Sequence, residues 1–149
     1  MIRKFRDDDL DVVLDIWLQA SIKAHDFVEP EFWKSQVENM RNIYIPASDS
    51  YVFVKNSEVI GFYSLYENTL AAIFIYPEFQ GRGFGKKLLS HAKQQRDVLT
   101  LSVYKENEPS IQFYLSKGFS IVSERANEHT GHMEYLMSTA PNPSKKNRK

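Results

Sequence analysis

Hydrophobic residues in the first third of the chain recur with helical spacing. Apolar positions fall at i, i+3, i+4, i+7 and i+8 over residues 10–18, directly after three acidic residues at 7–9. Acidic residues suit the first turn of a helix, and the spacing is that of an amphipathic helix. The pattern predicts a helix over residues 10–24, a second over 31–43 and a loop over 46–50.

The middle of the chain consists of short apolar runs separated by polar turns. Residues 51–54, 59–66 and 70–76 are predicted to form three strands joined by hairpin turns. The third run is apolar on both faces, which is typical of a central strand. It leads directly into a glycine-rich stretch.

The second half alternates strand and helix signals. Strands are predicted over residues 98–104, 119–122 and 132–137, and a short helix begins at Pro109 and stops at Gly118. A helix joins the strand before the glycines to the strand at 98–104, so these two strands should be parallel. We therefore predict an α/β (α+β) fold, with a mixed but mostly antiparallel sheet flanked by helices.

The glycine-rich stretch has the pattern Gln80-x-x-Gly83-x-Gly85 between a strand and a helix. Glycines allow a tight turn and close approach of a ligand, while backbone N–H groups and the helix dipole favour an anion. Arg82, Lys86 and Lys87 add positive charge. The pattern is neither a Walker A loop nor a dinucleotide fingerprint. It predicts a site for a phosphate-bearing ligand, with an ordinary structural turn as the alternative.

Composition narrows the classes of function. The net charge is zero, with 19 basic and 19 acidic side chains, so no overall field favours nucleic acid. The absence of cysteine excludes disulfides and a thiol nucleophile. Neither a signal peptide nor an apolar run of membrane-spanning length is evident, which favours a cytoplasmic protein without a membrane partner. We expect one domain over residues 1–138 and a basic, disordered tail over 139–149.

Two motifs together resemble those of the GNAT (Gcn5-related) N-acetyltransferases. The glycine pattern is similar to the acetyl-CoA signature of that family. The stretch from Val103 to Phe119, with Asn107, Tyr114 and Gly118, is similar to its second motif. The order of elements over residues 1 to about 138 matches as well, and the chain looks like small bacterial GNAT proteins, some of which acetylate protein lysines.

The resemblance implies acetyl-CoA as co-substrate and a role for each matching position. The pyrophosphate would lie on the turn, and the pantetheine arm would run along the preceding strand. Asn107 would bond the arm. Tyr114 would lie near the sulfur as general acid, since a phenol with a pKa near 10 keeps its proton at neutral pH. The implied binding positions are Ile73, Phe74, Ile75, Gln80, Gly81, Arg82, Gly83, Phe84, Gly85, Lys86, Asn107 and Tyr114.

A general base is also needed, because a lysine-type amine is mostly protonated at neutral pH. Many relatives carry a glutamate where this chain has Ser102. Glu67 is the candidate base, with His25, Asp26 or bulk water as alternatives. A backbone N–H of the central strand, that of Ile75, would stabilise the oxyanion.

The resulting prediction is an N-acetyltransferase whose acceptor, a protein lysine or a small-molecule primary amine, attacks directly in a ternary complex. His25, Asp26 and Phe27, in the break between the first two helices, are predicted to face the acceptor. The pair His129-x-x-His132 has ligand-like spacing but no evident third ligand, so we predict no metal. The alternatives are an acyl-CoA-binding regulatory module without turnover and an ordinary nucleotide-phosphate binder. We expect a monomer or a homodimer.

Overall fold

The computed structural model of the protein describes residues 1–141. The chain divides into two compact units, Met1–Arg96 and Asp97–Lys149. Most of the predicted tail, from residue 142 onward, lies outside the described residues. Among residues 1–141, the longest apolar helix falls short of what a bilayer crossing requires.

The first unit contains four strands and four helices. The strands are β1 (Ile2–Lys4), β2 (Asp49–Lys55), β3 (Glu58–Tyr66) and β4 (Thr69–Ile75), and the helices are α1 (Leu10–Ala24), α2 (Pro30–Asn39), α3 (Ile45–Ala47) and α4 (Phe84–Gln95). The strands pair antiparallel in the order β1-β2-β3-β4. α1 packs against β3 and β4, and of the apolar stripe predicted from its spacing Val13, Leu14 and Trp17 are buried, whereas Leu10 and Leu18 are half-buried.

Helix α4 covers one face of this sheet. The Phe84 ring contacts Phe53 of β2 with 5.0 Å between ring centroids, and His91 lies 4.9 Å from Tyr51. The Tyr63 hydroxyl and His91 Nδ1 are 2.6 Å apart. These contacts hold α4 against the sheet that contains β4. The glycine turn between β4 and α4 is therefore anchored at both of its ends.

The segment after α2 differs from the prediction of a helix to residue 43 and a loop over 46–50. α2 ends at Asn39, a π-helical turn follows over Met40–Tyr44, α3 follows directly, and β2 already begins at Asp49. The predicted loop is wrong because Pro46 lies in the first turn of a helix, where its missing N–H costs no hydrogen bond. Ile45 is buried and anchors this turn.

Over its described residues, 97–141, the second unit contains three strands and one helix. These are β5 (Thr100–Tyr104), α5 (Glu108–Ser116), β6 (Ser120–Ala126) and β7 (Met133–Ser138). Both β5 and β6 pair antiparallel with β7. β6 runs four residues beyond the strand predicted to end at Val122 because it pairs with β7 up to Ala126. The predicted α/β class, with mostly antiparallel strands and helices, is confirmed.

Candidate active site

The glycine turn joins β4 to α4 with a backbone that favours glycine. Gly81 and Gly83 have φ values of 80° and 85°, and Gly83 is the N-cap residue of α4. Side chains with a Cβ rarely adopt this left-handed region. The two glycines therefore permit the chain to turn sharply after the 3-10 turn Pro77–Phe79 and to start α4 at Phe84.

The glycines also leave open space around the turn. A Cβ built on Gly81, Gly83 or Gly85 would have no heavy atom within 4 Å. The first N–H groups of a helix have no partner within that helix, and α4, with 12 residues, adds a dipole. An anionic group can thus approach backbone donors here, so the turn fits a pyrophosphate.

Polar side chains connect the turn to β4 and to α1. Gln80 Nε2 donates to the Ile75 carbonyl over 2.9 Å, and Lys23 Nζ donates to Gln80 Oε1 over 3.3 Å. The Arg82 guanidinium lies 5.5 Å from the Phe79 ring centroid. Positive charge therefore reaches the turn from its own sequence and from α1.

The end of β4 is held closely against β3. Gly61 pairs with Ile75, and a Cβ at Gly61 would overlap the Ile75 side chain and come within 2.9 Å of the Phe74 carbonyl oxygen. Ile75 is buried, whereas Ile73 and Phe74 are half-buried. Between Ser64 and Leu65 the β3–β4 register shifts, so that Ala71 has no direct partner on β3. The segment Ile73–Ile75 is thus a fixed stretch of backbone leading into the turn.

Asn107 and Tyr114 lie at the two ends of α5. Asn107 is buried, and its Oδ1 caps the helix by accepting from the Ser110 N–H over 3.4 Å. This cap involves the oxygen of the side-chain amide and not its nitrogen. The structural role as a cap and the predicted contact with the cofactor arm are therefore compatible.

Tyr114 has an apolar environment. Its ring lies 5.5 Å from both Phe113 and Phe119, measured between centroids. Burial raises the pKa of Tyr114 above its usual value near 10, so the phenol keeps its proton at neutral pH. Gly118, with φ of 92°, ends the helix and turns Phe119 back to the ring.

The candidate base Glu67 is an exposed residue of the β3–β4 turn. It has φ of 53°, and its carbonyl accepts from Arg96 Nε over 2.8 Å. All of β4 lies between Glu67 and the glycine turn, a length of roughly 20 Å for seven extended residues. Glu67 can therefore act as a base only if the acetyl group is held near the start of β4.

His25 lies at the junction between α1 and α2. It is buried, its ring stacks on Trp33 at 4.9 Å, and Phe27 contacts its edge at 5.8 Å. The Ser21 carbonyl is 2.9 Å from Nδ1, which places the proton of the neutral ring on Nδ1, because a carbonyl only accepts. Burial lowers the pKa of His25, so the ring is neutral at pH 7. The neighbouring Asp26 is exposed.

Two other predicted positions have ordinary structural partners. The Ser102 hydroxyl accepts from Arg125 Nη2 over 3.3 Å, and it brings no base to β5. His132 Nδ1 pairs with Glu106 at 2.8 Å. Within residues 1–141, no group of three or more His, Cys, Asp or Glu side chains is arranged to hold a metal ion.

Sequence reasoning missed the contribution of α1 to the turn. Tyr76 donates its hydroxyl proton to Asp15 Oδ2 over 2.6 Å, and Lys23 contacts Gln80. The available signal was the polar face of α1, on which Asp15, Gln19 and Lys23 follow each other at intervals of four residues.

The chain is similar to proteins of known activity. The family described as Acetyltransferase (GNAT) domain matches residues 46–121, a span that includes the glycine turn, Asn107 and Tyr114. The Escherichia coli K12 protein YiaC, named a peptidyl-lysine N-acetyltransferase, is 32% identical over 139 residues, covering 93% of this chain and 95% of YiaC.

Solved structures share the fold. The solution structure of apo-form YjaB from Escherichia coli matches with a TM-score of 0.82 and 24% identity, covering 95% of this chain and 98% of that one. The PaiA N-acetyltransferase of Thermoplasma acidophilum, crystallised in complex with coenzyme A, matches with a TM-score of 0.77 and 17% identity, over 95% of this chain and 98% of that one. At these identities the two structures show the fold alone.

Proposed function

The chain belongs to the GNAT family of acetyltransferases and is an N-acetyltransferase, and we propose that it moves the acetyl group of acetyl-CoA to a lysine side chain of a protein. The observation that carries this proposal is the glycine turn between β4 and α4. Its backbone, its open space and its cations fit the pyrophosphate of acetyl-CoA. The bound coenzyme A in the PaiA structure supports the same co-substrate.

In this proposal the first unit holds the co-substrate. The N–H groups from Gln80 to Lys86 bind the pyrophosphate, with Arg82 and Lys86 adding charge. The backbone of Ile73–Ile75 lies along the pantetheine arm, and the Ile75 N–H donates to the thioester oxygen as negative charge develops there. Gln80, by bonding the Ile75 carbonyl, keeps the strand and the turn in one arrangement.

In the second unit, Asn107 offers its side-chain amide to the cofactor arm and Tyr114 acts as general acid. The acceptor nitrogen forms a bond to the thioester carbonyl carbon, and the carbon–sulfur bond then breaks. The departing sulfur takes the phenolic proton of Tyr114. Because burial raises the pKa of Tyr114, the proton is present at the start of each turnover.

The acceptor must lose a proton before it attacks, and His25 is the base we favour over Glu67. Its ring is neutral at pH 7, and it lies in the same junction between α1 and α2 as Asp26 and Phe27. Glu67 remains the alternative for an acetyl group bound near the start of β4. Asp26, exposed beside His25, would attract a lysine ammonium, and Phe27 would contact its methylene chain.

Protein lysine is the acceptor that the named activity of YiaC supports. The test uses labelled acetyl-CoA and three acceptors: a lysine peptide with a blocked N-terminus, the same peptide with arginine for lysine and a free N-terminus, and a small alkylamine. We expect label on the first peptide. Label on the second or on the alkylamine alone would contradict the lysine assignment.

The second candidate is a coenzyme A-binding module without turnover. Ser102, where many relatives have a glutamate, is the observation that favours it. That candidate predicts that the protein binds acetyl-CoA and labels none of the three acceptors, whereas acetyl transfer to any one of them excludes it.

A further inference from the structure

One face of α1 carries a row of polar side chains directed at the glycine-turn segment. Asp15, Gln19 and Lys23 occupy positions i, i+4 and i+8. On an α-helix this spacing puts them on one face, with about 12 Å of helix axis between the first and the last. The row is independent of the glycine motif, since α1 lies some sixty residues earlier in the chain.

This row contacts the segment at two points. The Tyr76 hydroxyl donates to Asp15 Oδ2 over 2.6 Å, while Gln19 Nε2 donates to the same carboxylate over 3.0 Å. Lys23 Nζ donates to Gln80 Oε1 over 3.3 Å. The contacts join α1 to both ends of the stretch that leads from β4 to the turn, so the Lys23 ammonium lies beside the turn.

Lys23 therefore brings a fourth cation to a turn that already has Arg82, Lys86 and Lys87. Glu78, in the 3-10 turn, is the acidic side chain of the same segment. Lys23 is exposed, and its amide partner Gln80 is uncharged, so the ammonium charge is not neutralised by this contact. A phosphate group bound at the turn would supply the missing negative charge.

We propose that Lys23 binds a phosphate group of acetyl-CoA, so that α1 forms part of the co-substrate site. The inference rests on the proposed function, because it needs coenzyme A at the glycine turn. The phosphate could be the pyrophosphate or the 3′-phosphate, which share the chemistry that Lys23 recognises.

The test measures the dissociation constant of coenzyme A by calorimetry for the wild type and for Lys23→Gln. Glutamine removes the charge but keeps an N–H donor for Gln80, so a role limited to positioning Gln80 would survive. Lys23→Arg keeps the charge. Lys4→Gln is the matched control, because Lys4 is exposed on β1, three strands and roughly 14 Å of sheet away from β4.

We expect Lys23→Gln to raise the dissociation constant about 3- to 10-fold, a range typical of the loss of one exposed charge-assisted hydrogen bond. The dependence of binding on salt should weaken in parallel. Lys23→Arg and Lys4→Gln should bind as the wild type does. Equal affinity and equal salt dependence of Lys23→Gln and wild type would overturn the inference.

A second ligand identifies the phosphate. With 3′-dephospho-coenzyme A, the difference between wild type and Lys23→Gln disappears if Lys23 binds the 3′-phosphate and persists if it binds the pyrophosphate. Either result supports the inference. Failure of the wild type itself to bind coenzyme A would instead contradict the proposed function, so the two failures are distinguishable.

Discussion

The glycine turn and the tyrosine of α5 have opposite physical designs. The turn is exposed, positively charged and built from backbone, with glycines at φ near 80° that leave room for a ligand. Tyr114 is an uncharged side chain between two phenylalanine rings, and burial raises its pKa. An anion is bound best by fixed dipoles and cations, whereas a proton is retained best on a group removed from water.

Because of this difference, substitutions in the two regions should affect different constants: the affinity for acetyl-CoA at the turn, and the rate of the chemical step at Tyr114. Changes at the turn should alter the affinity for acetyl-CoA, since its backbone donors contact a part of the molecule that does not react. Changes at Tyr114 should alter the chemical step, since the phenol acts on the leaving sulfur. If variants of both regions changed the same kinetic constant, the turn and Tyr114 would not have these separate roles.

The largest effect is expected for Tyr114→Phe. Removing the hydroxyl deletes the proposed acid but leaves the ring packing against Phe113 and Phe119, so kcat should fall about 100-fold or more with little change in KM for acetyl-CoA. Steady-state kinetics with a lysine peptide would measure this, with Tyr135→Phe as the control in the same unit. Full activity of Tyr114→Phe would show that another group protonates the thiolate.

The second-largest effect is expected for substitutions of the glycines in the turn. Gly85→Ala should raise the dissociation constant of coenzyme A about 10-fold because a methyl group intrudes where the ligand approaches, while stability is kept, since alanine suits a helix. Gly83→Ala should also lose about 1 kcal/mol of stability, because its φ of 85° is strained for alanine.

Gly131→Ala is the matched control for strain. Gly131 has φ of 75° and open space around it, but it lies in the β6–β7 turn. The Gly131→Ala variant should lose as much stability as the Gly83→Ala variant, but it should bind coenzyme A with the affinity of the wild type. Calorimetry and thermal unfolding of the three variants measure both quantities. Normal affinity of Gly85→Ala would mean that no ligand approaches the turn closely.

A smaller effect on catalysis is expected for Gly61→Ala, because Gly61 lies against the end of β4, where the strand meets the turn. The added Cβ would meet the Phe74 carbonyl oxygen at 2.9 Å, so β4 must shift. We expect a loss of about 1–3 kcal/mol in the free energy of unfolding and a several-fold lower kcat/KM, measured by denaturation and kinetics. Unchanged kinetics in a destabilised variant would show that the end of β4 does not hold the reacting group.

The smallest effect concerns His25 and stability against pH. Because its pKa is lowered in the folded state, the unfolded chain binds more protons below its ordinary pKa of about 6.5. The free energy of unfolding should therefore decrease as the pH falls below that value. This decrease should be smaller in His25→Gln than in the wild type or in His129→Gln, a change at an exposed position. Identical pH profiles for all three proteins would contradict a buried, neutral His25.

Features defined by local spacing were predictable from the sequence. The stripe of α1 and the glycine turn follow from residue periodicity and from glycine chemistry, which act over a few residues. The loop predicted over residues 46–50 is different, because Pro46 lies in the first turn of a short helix, where proline is favourable. The periodicity of apolar residues does not distinguish a proline in a loop from a proline in the first turn of a helix.

Features that depend on distant parts of the chain were not predictable. The contact between Lys23 and Gln80 joins positions 57 residues apart, and no local pattern specifies it. The general base is a similar case. Glu67 directly precedes β4 in the sequence, but the extended strand separates it from the turn. The burial of His25 depends on the packing of α1 against α2, which no local pattern specifies.

We propose above all that backbone donors of the turn and of β4 bind the co-substrate. Amide resonances of the 15N-labelled protein, followed during titration with coenzyme A, test it most directly. We predict that the largest shifts occur at Ile73–Ile75 and at Gly81–Lys86. Saturable binding of coenzyme A that leaves these amide resonances unchanged would contradict binding by these backbone donors.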